Sequence, residues 1–214
     1  MKYFIIMLMA ISFSFSSDDL TIQKGHIDTL KYDDGIDLVD SVKYNRKDYG
    51  GWKDYDHDCQ NTRNEILIRD NFLILNEVTF KTEKKCRVLY GFWFDPFTGT
   101  YTSDPKALDI DHTVPLANAH ISGAWKWSKA KKKRYANYMI NNYHLLAVSA
   151  SENRKKGAKG PDKYLPPFVP FRGLYCEIWT KIKVYWDLTA TKPELDTLHK
   201  YLDGIEGVEF PKLR

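Results

Sequence analysis

The chain is poor in cysteine, with only Cys59, Cys86 and Cys176 among 214 residues. That excludes a small scaffold stapled by many disulfides, and no Cys/His spacing resembles a zinc site. Long apolar runs are also missing. The one apolar stretch, Phe4 to Phe15, is too short to span a bilayer. A chain processed after it is expected to be soluble, with no stable membrane association. Repeats at a solenoid period and low-complexity tracts are absent too, which excludes arrays and long linkers. Net charge is a modest +4, so the whole-chain balance implies no partner by itself.

What is present fits a filled core. The chain is 43% hydrophobic and 14% aromatic, enough for one core or two small ones. Lys2, the apolar stretch and the small residues Ser14, Ser16 and Ser17 read as a signal peptide over residues 1–16. A polar segment, 17–43, follows. Export puts the cysteines in an oxidising compartment, where one pair and one leftover thiol are expected. Cys59 and Cys86 flank a strand-and-helix unit and are the expected disulfide. Closing that loop stabilises by about 3 kcal/mol in the chain-entropy picture. Cys176 lies in an apolar stretch and is expected to be a buried thiol.

Thr62 to Asp70 reads as a short helix capped by Asn61 or Thr62. Residues 72–82 and 86–94 read as two strands joined by a turn at Thr82 to Lys85. Cys86, Val88, Tyr90, Phe92 and Phe94 alternate onto one face. Asp95 to Gly99 is a tight turn by composition, and another strand runs up to Asp111. Pro115 opens a mostly helical stretch to 137, broken around Ser122-Gly123. Leu145 to Val148 is a short apolar strand, and Ser149 or Ser151 caps a short helix carrying Asn153, ended by Gly157. Tyr175, Ile178, Trp179, Ile182 and Trp186 recur at helical spacing. Thr191 with Glu194 forms a capping box before a last helix through Leu195, Leu198 and Leu202, stopped by Gly204.

Charge is unevenly distributed. Between Lys126 and Lys163 eleven lysines and arginines face only Glu152 and Asp162, a local net charge of +9. Such a block beside a candidate site suggests a polyanion partner. A lysine run alone more often marks a solvated helix face.

The chemistry concentrates in Asp109-Ile110-Asp111-His112-Thr113-Val114-Pro115 and in Asn153-Arg154-Lys155-Lys156-Gly157. Phosphodiester hydrolysis needs a base for water, charge stabilisation on the phosphoryl oxygens, and help for the departing alkoxide. His112 suits the first task near neutral pH. A divalent ion on Asp111 and the amide oxygen of Asn153 suits the other two, with Mg²⁺ or Mn²⁺ the expected cofactor. Because neighbouring strand residues point to opposite faces, Asp111 and His112 act together only if the chain bends there. Arg154, Lys155 and Lys156, with Arg134 and Arg63, are placed to meet phosphates. Asp109, on the same strand face as Asp111, is either a supporting group or an ordinary turn acid. Arg63 and Glu65 either reach the site or link their helix to the sheet. Trp125 and Trp127 either stack on bases or pack as core.

Taken together, these pieces resemble an HNH endonuclease of the ββα-metal class. The closer resemblance is to secreted HNH proteins related to the C-terminal domain of GmrSD-type nucleases. It is carried by Asp58-Cys59-Gln60-Asn61-Thr62-Arg63-Asn64-Glu65, by Gly91 to Gly99, and by Asp109 to Ala117. It continues through Gly123-Ala124-Trp125, Ala136-Asn137, Leu145 to Val148, Asn153 to Gly157 and Leu165-Pro166-Pro167. The resemblance implies an α+β fold in one domain, 44–214. Its ββα-metal finger is expected at about 105–158, with an added β-hairpin and flanking helices. It implies His112 as general base and Asp111 and Asn153 as ligands of one divalent metal ion. The middle position of the family's His-Asn-His pattern is usually Asn. Here it is His144, which can take over by tying the loop through its ring nitrogen, perturb His112, or add a metal contact.

The expected function is that of a secreted endonuclease acting on DNA, with RNA left open as a second substrate and a monomer assumed. Two other classes stay open: a nucleic-acid-binding module weakened by His144, and an extracellular structural protein whose basic block binds acidic glycans.

Overall fold

A computed structural model describes residues 29–33, 43–72 and 78–203. The signal peptide, most of the polar segment and the stop at Gly204 lie outside them. The fold is α+β, with six α-helices and three two-stranded antiparallel sheets among the described residues.

The centre is an antiparallel pair, β5 (Leu108–His112) with β6 (Leu145–Ser149). The register runs Leu108↔Ser149, Asp109↔Val148, Ile110↔Ala147, Asp111↔Leu146 and His112↔Leu145. Val148 and Leu146 face one core, with Phe97, Val114, Tyr175 and Trp179. Leu145 and Ala147 face a second, with Leu108, Ile110, Ile66, Leu67 and Trp93. Both faces are covered, which is why the strand reads as an uninterrupted apolar run instead of an alternating one.

Between these strands lie α2 (Leu116–Ile121) and α3 (Lys129–Ala136), with a short 3₁₀ turn, Ala124–Lys126, at the Ser122-Gly123 break. Pro115 precedes the first turn of α2, where its missing N–H is harmless. The chain leaves β6 directly into α4 (Ala150–Lys156), which ends at Gly157 with φ 55°. The unit β5, β6, α4 is therefore a ββα arrangement with a helical insertion. At the C-terminal end α5 (Arg172–Tyr185) packs on α6 (Lys192–Leu202). Glu194 closes the Thr191 capping box and also accepts from Lys183 Nζ at 2.8 Å, which anchors α6 to α5.

The helix α1 (Thr62–Arg69) forms as expected, with the Asn61 side chain as its cap. It packs on the second core, and Trp93 Nε1 donates to Leu67 O at 2.8 Å. The strands after it differ from the expectation. In place of two long strands there are β1 (Thr79–Phe80) with β2 (Val88–Tyr90), and β3 (Trp93–Asp95) with β4 (Thr100–Thr102). Residues 73–77 of the expected first strand lie outside the described residues. The alternating aromatic face does not carry through, because Trp93 and Asp95 are the buried residues of β3 while Tyr90 is exposed. The cause is Gly91, where a Cβ would lie 2.6 Å from the Trp93 ring. The chain passes there from one small sheet to the next. The turn at Asp95 is as expected: its carboxylate accepts from Phe97 N and Thr98 Oγ1, and Gly99 adopts φ 72°.

The disulfide Cys59–Cys86 forms and Cys176 is a buried thiol. Burial pushes the Cys176 thiol up to about 12, so it stays protonated.

Candidate active site

His112 is the last residue of β5 and is only 6% exposed. Trp52 stacks on its ring at 5.4 Å and 11°, and the Tyr135 ring lies parallel to it at 6.3 Å and 8°. Its Nε2 lies 2.9 Å from Ala136 O. A carbonyl can only accept, so Nε2 carries the proton and Nδ1 holds the lone pair. Nδ1 has no hydrogen-bond partner among the described residues. Burial is the main force lowering the His112 pKa, to about 3, with His144 adding to it. The imidazole is therefore neutral at physiological pH, which a base requires, and so low a value makes it a weak base while it stays this buried.

His144 is 1% exposed and sits inside the aromatic core, 4.6 Å from the Tyr135 ring and edge-on to His112 at 6.3 Å. Its Nε2 donates to Tyr135 O at 2.8 Å. The two histidines thus hold consecutive carbonyls at the end of α3. The structure gives His144 a positioning place behind His112 and no solvent-facing one, so its grouping with His112 as a catalytic side chain is corrected. Burial lowers its pKa to about 4.

On the other face of β5, Asp109 and Asp111 meet α4. Strand residues two apart are separated by about 6.5 Å, close to the spacing of helix residues three apart. Asn153 and Lys156 accordingly fall opposite them. Asn153 Nδ2 donates to Asp109 Oδ2 at 3.2 Å. Lys156 Nζ lies 2.8 Å from each Asp111 oxygen and 2.9 Å from His112 O. Lys156 is 0% exposed. Burial moves the Asp111 carboxyl up and the Lys156 ammonium down, and each opposes the other's shift as its counter-charge.

This arrangement corrects one expectation and leaves one condition unmet. Lys156 is not a surface cation waiting for phosphate, because its ammonium is buried against Asp111. The strand does not bend at Asp111-His112 either, since the pairing continues through both residues. The ring of His112 and the carboxylate of Asp111 leave on opposite faces of the strand.

Asp111 and Asn153 are the candidate donors for a divalent ion. Both Asp111 oxygens are held by the Lys156 ammonium. Asn153 Oδ1 has no hydrogen-bond partner among the described residues. Asp111 and Asn153 therefore fit a hard cation in charge and donor type, provided that Lys156 gives way.

Around the site Arg154 and Lys155 are exposed on α4, with Lys155 paired to Glu152, and Arg134 is exposed beside the Trp186 ring. Of the eleven cations in the basic block, only Lys132 and Lys156 are buried, so the block is mostly available to a polyanion. Arg63 is half-buried and donates through Nη2 to Pro105 O and Leu108 O at 2.9 Å, tying α1 to the start of β5. Trp127 packs against Tyr135 and Trp186 as core. Sequence reasoning missed Trp52 and Tyr135, the two rings that stack with His112. No local signal marks them, because each reaches His112 from a distant part of the chain.

The sequence pattern of the family described as GmrSD restriction endonucleases, C-terminal domain, matches residues 61–201. An uncharacterized secreted protein of Arthroderma benhamiae is 32% identical over 160 residues, covering 75% of this chain and 74% of its own length. No solved structure matches the chain.

Proposed function

The chain belongs to the GmrSD restriction endonuclease C-terminal domain family, and on that premise we propose that it is a secreted, metal-dependent endonuclease of the HNH type acting on DNA, and on RNA as a further substrate. The observation that carries this reading is the state of His112. It ends the first strand of a ββα unit, neutral, with Nε2–H fixed on Ala136 O and the Nδ1 lone pair free. Secretion is supported by the N-terminal apolar stretch, by the Cys59–Cys86 disulfide and by the name of the fungal relative.

In this reading the strand end, where the pairing stops after His112, rearranges so that His112 and Asp111 reach one phosphate, and His112 takes the proton of the attacking water through Nδ1. Ala136 O holds the ring in the required tautomer, and the Trp52 and Tyr135 rings fix its plane. Asp111 and Asn153 would hold one Mg²⁺ or Mn²⁺ ion, which when bound supplies charge stabilisation to the phosphoryl group and the leaving oxygen. Lys156 keeps the buried Asp111 charge compensated until then. Arg154, Lys155 and Arg134 steer the polyanion toward the strand end.

Purified protein incubated with supercoiled plasmid and Mg²⁺ or Mn²⁺ tests the reading. Nicking or linearisation that EDTA and His112→Ala abolish is expected. Intact plasmid under every metal condition overturns it.

A second reading, a nucleic-acid-binding module without turnover, is favoured by the burial of His112 and by the Lys156 ammonium on Asp111. It predicts salt-sensitive binding with no cleavage, and gain of cleavage in His144→Asn.

A further inference from the structure

We propose that residues 54–65 form a calcium-binding loop of the EF-hand type, separate from the ββα site. The ligands would be Asp54, Asp56, Asp58, the Gln60 carbonyl and Glu65. The spacing Asp54-x-Asp56-x-Asp58-Cys59-x-x-x-x-x-Glu65 has acids at places one, three, five and twelve of the EF-hand loop of about twelve residues. In that loop the seventh place binds through its backbone carbonyl, and the twelfth supplies a bidentate Glu from the start of the exiting helix. Here the seventh is Gln60, and Glu65 stands in the first turn of α1.

The sixth place needs a left-handed backbone and is normally Gly. Cys59 takes φ 76° there, and its disulfide to Cys86 holds the loop from outside. The conformational demand is met although the residue differs. The ninth place departs from the pattern. Thr62 Oγ1 is turned inward to Lys53 O at 3.0 Å and Asn137 Oδ1 at 2.8 Å, leaving that coordination position to water.

The carboxylates are already gathered. Ligand atoms of Asp54, Asp56 and Asp58 lie within 4.8 Å of one another. None of the four acids makes an ion pair among the described residues. Acid clusters on a surface are common without an ion, so the decisive observation is a second one. Asp54 Oδ1 and Glu65 Oε2 are each shut off from solvent and have no hydrogen-bond partner. A carboxylate oxygen shut off from solvent without a donor is destabilising, and a cation beside it would satisfy it. Glu65, in the first turn of α1, lies near enough to Asp54, Asp56 and Asp58 to feel their charge. All-oxygen coordination by four carboxylates and a carbonyl suits Ca²⁺ better than Mg²⁺, which keeps more of its water.

The loop is closed at its base by Thr62 N donating to Lys53 O at 2.7 Å. Trp52, the residue just before, lies on the His112 ring. An ion here would therefore stiffen the segment that covers His112. The inference does not depend on the nuclease reading, since it concerns binding and stability.

The test is thermal unfolding and titration calorimetry of the metal-free chain with CaCl₂. About 5 mM Ca²⁺ is expected to raise the melting temperature by about 3–6 °C, given the millimolar to submillimolar affinity of extracellular sites of this kind. Asp56→Asn, at an exposed position, and Glu65→Gln should each weaken binding by about tenfold or more. Asn153→Ala should keep the calcium response, which separates this loop from the other candidate cation site. Absence of any heat or shift in the wild type overturns the proposal. So does binding that survives both loop substitutions. An equal response to Mg²⁺ overturns the choice of ion.

Discussion

Lys156 and Asp111 face each other across the ββα unit, the ammonium 2.8 Å from both carboxylate oxygens and wholly buried. The pair joins the end of α4 to the end of β5, next to the candidate base. Its removal is informative because it leaves one charge without its counter-charge.

Lys156→Met should destabilise the fold by about 3–5 kcal/mol, the cost of a buried carboxylate left uncompensated. If Asp111 also holds the divalent ion, Mn²⁺ should restore more stability to Lys156→Met than it adds to the wild type. Urea unfolding with and without Mn²⁺ reads both effects. A variant that loses stability but gains nothing from the ion would remove Asp111 from the ligand set.

Arg154→Ala and Lys155→Ala should leave stability within about 0.5 kcal/mol, as expected for exposed residues. Each should reduce the steepness with which DNA affinity falls with salt by about one unit of the log–log slope. Fluorescence anisotropy over a salt series measures it. Equal slopes for wild type and both variants would mean that α4 does not meet phosphate.

The pH dependence of stability should bear the mark of His144. Its folded pKa, about 4, lies below the ordinary value of 6.5, so between these values the unfolded chain binds more protons. The contribution from keeping His144 neutral is complete above about pH 6.5 and is lost as pH falls toward 4. His144→Asn should flatten the acid limb by about 1.4 kcal/mol per pH unit across that window. Denaturant unfolding at a series of pH values checks this, with an unchanged slope as the contrary result.

Reducing the Cys59–Cys86 bridge, or Cys59→Ser with Cys86→Ser, should cost about 3 kcal/mol from the freed unfolded chain. Calorimetry of oxidised and reduced protein gives the difference. If the calcium loop is correct, part of that loss should return on adding Ca²⁺.

Much of this was legible along the chain. The Asn61 cap, the Thr191-Glu194 capping box, the break at Ser122-Gly123 and the Cys59–Cys86 pair all rest on short-range chemistry that a sequence displays directly. The strands around Gly91 were not, because the residue that ends one sheet and begins the next does so by admitting the Trp93 ring, a contact invisible until the chain is folded. The acids at 54, 56, 58 and 65 are legible along the chain as well. Their spacing is a sequence signal, but the orphaned oxygens that give it weight exist only in three dimensions.

By itself the sequence determined which groups could do chemistry: an imidazole beside a carboxylate at 112 and 111, an amide at 153, and cations around them. It also determined the local conformations that carry them. The tertiary structure alone decided their partners. Strand alternation sends Asp111 and His112 to opposite faces, and the docking of α4 assigns Lys156 to Asp111. The fold of the 113–144 insertion brings the Ala136 and Tyr135 carbonyls to the two histidines. Those contacts join residues far apart in sequence, and they depend on register and helix placement, which no local pattern encodes.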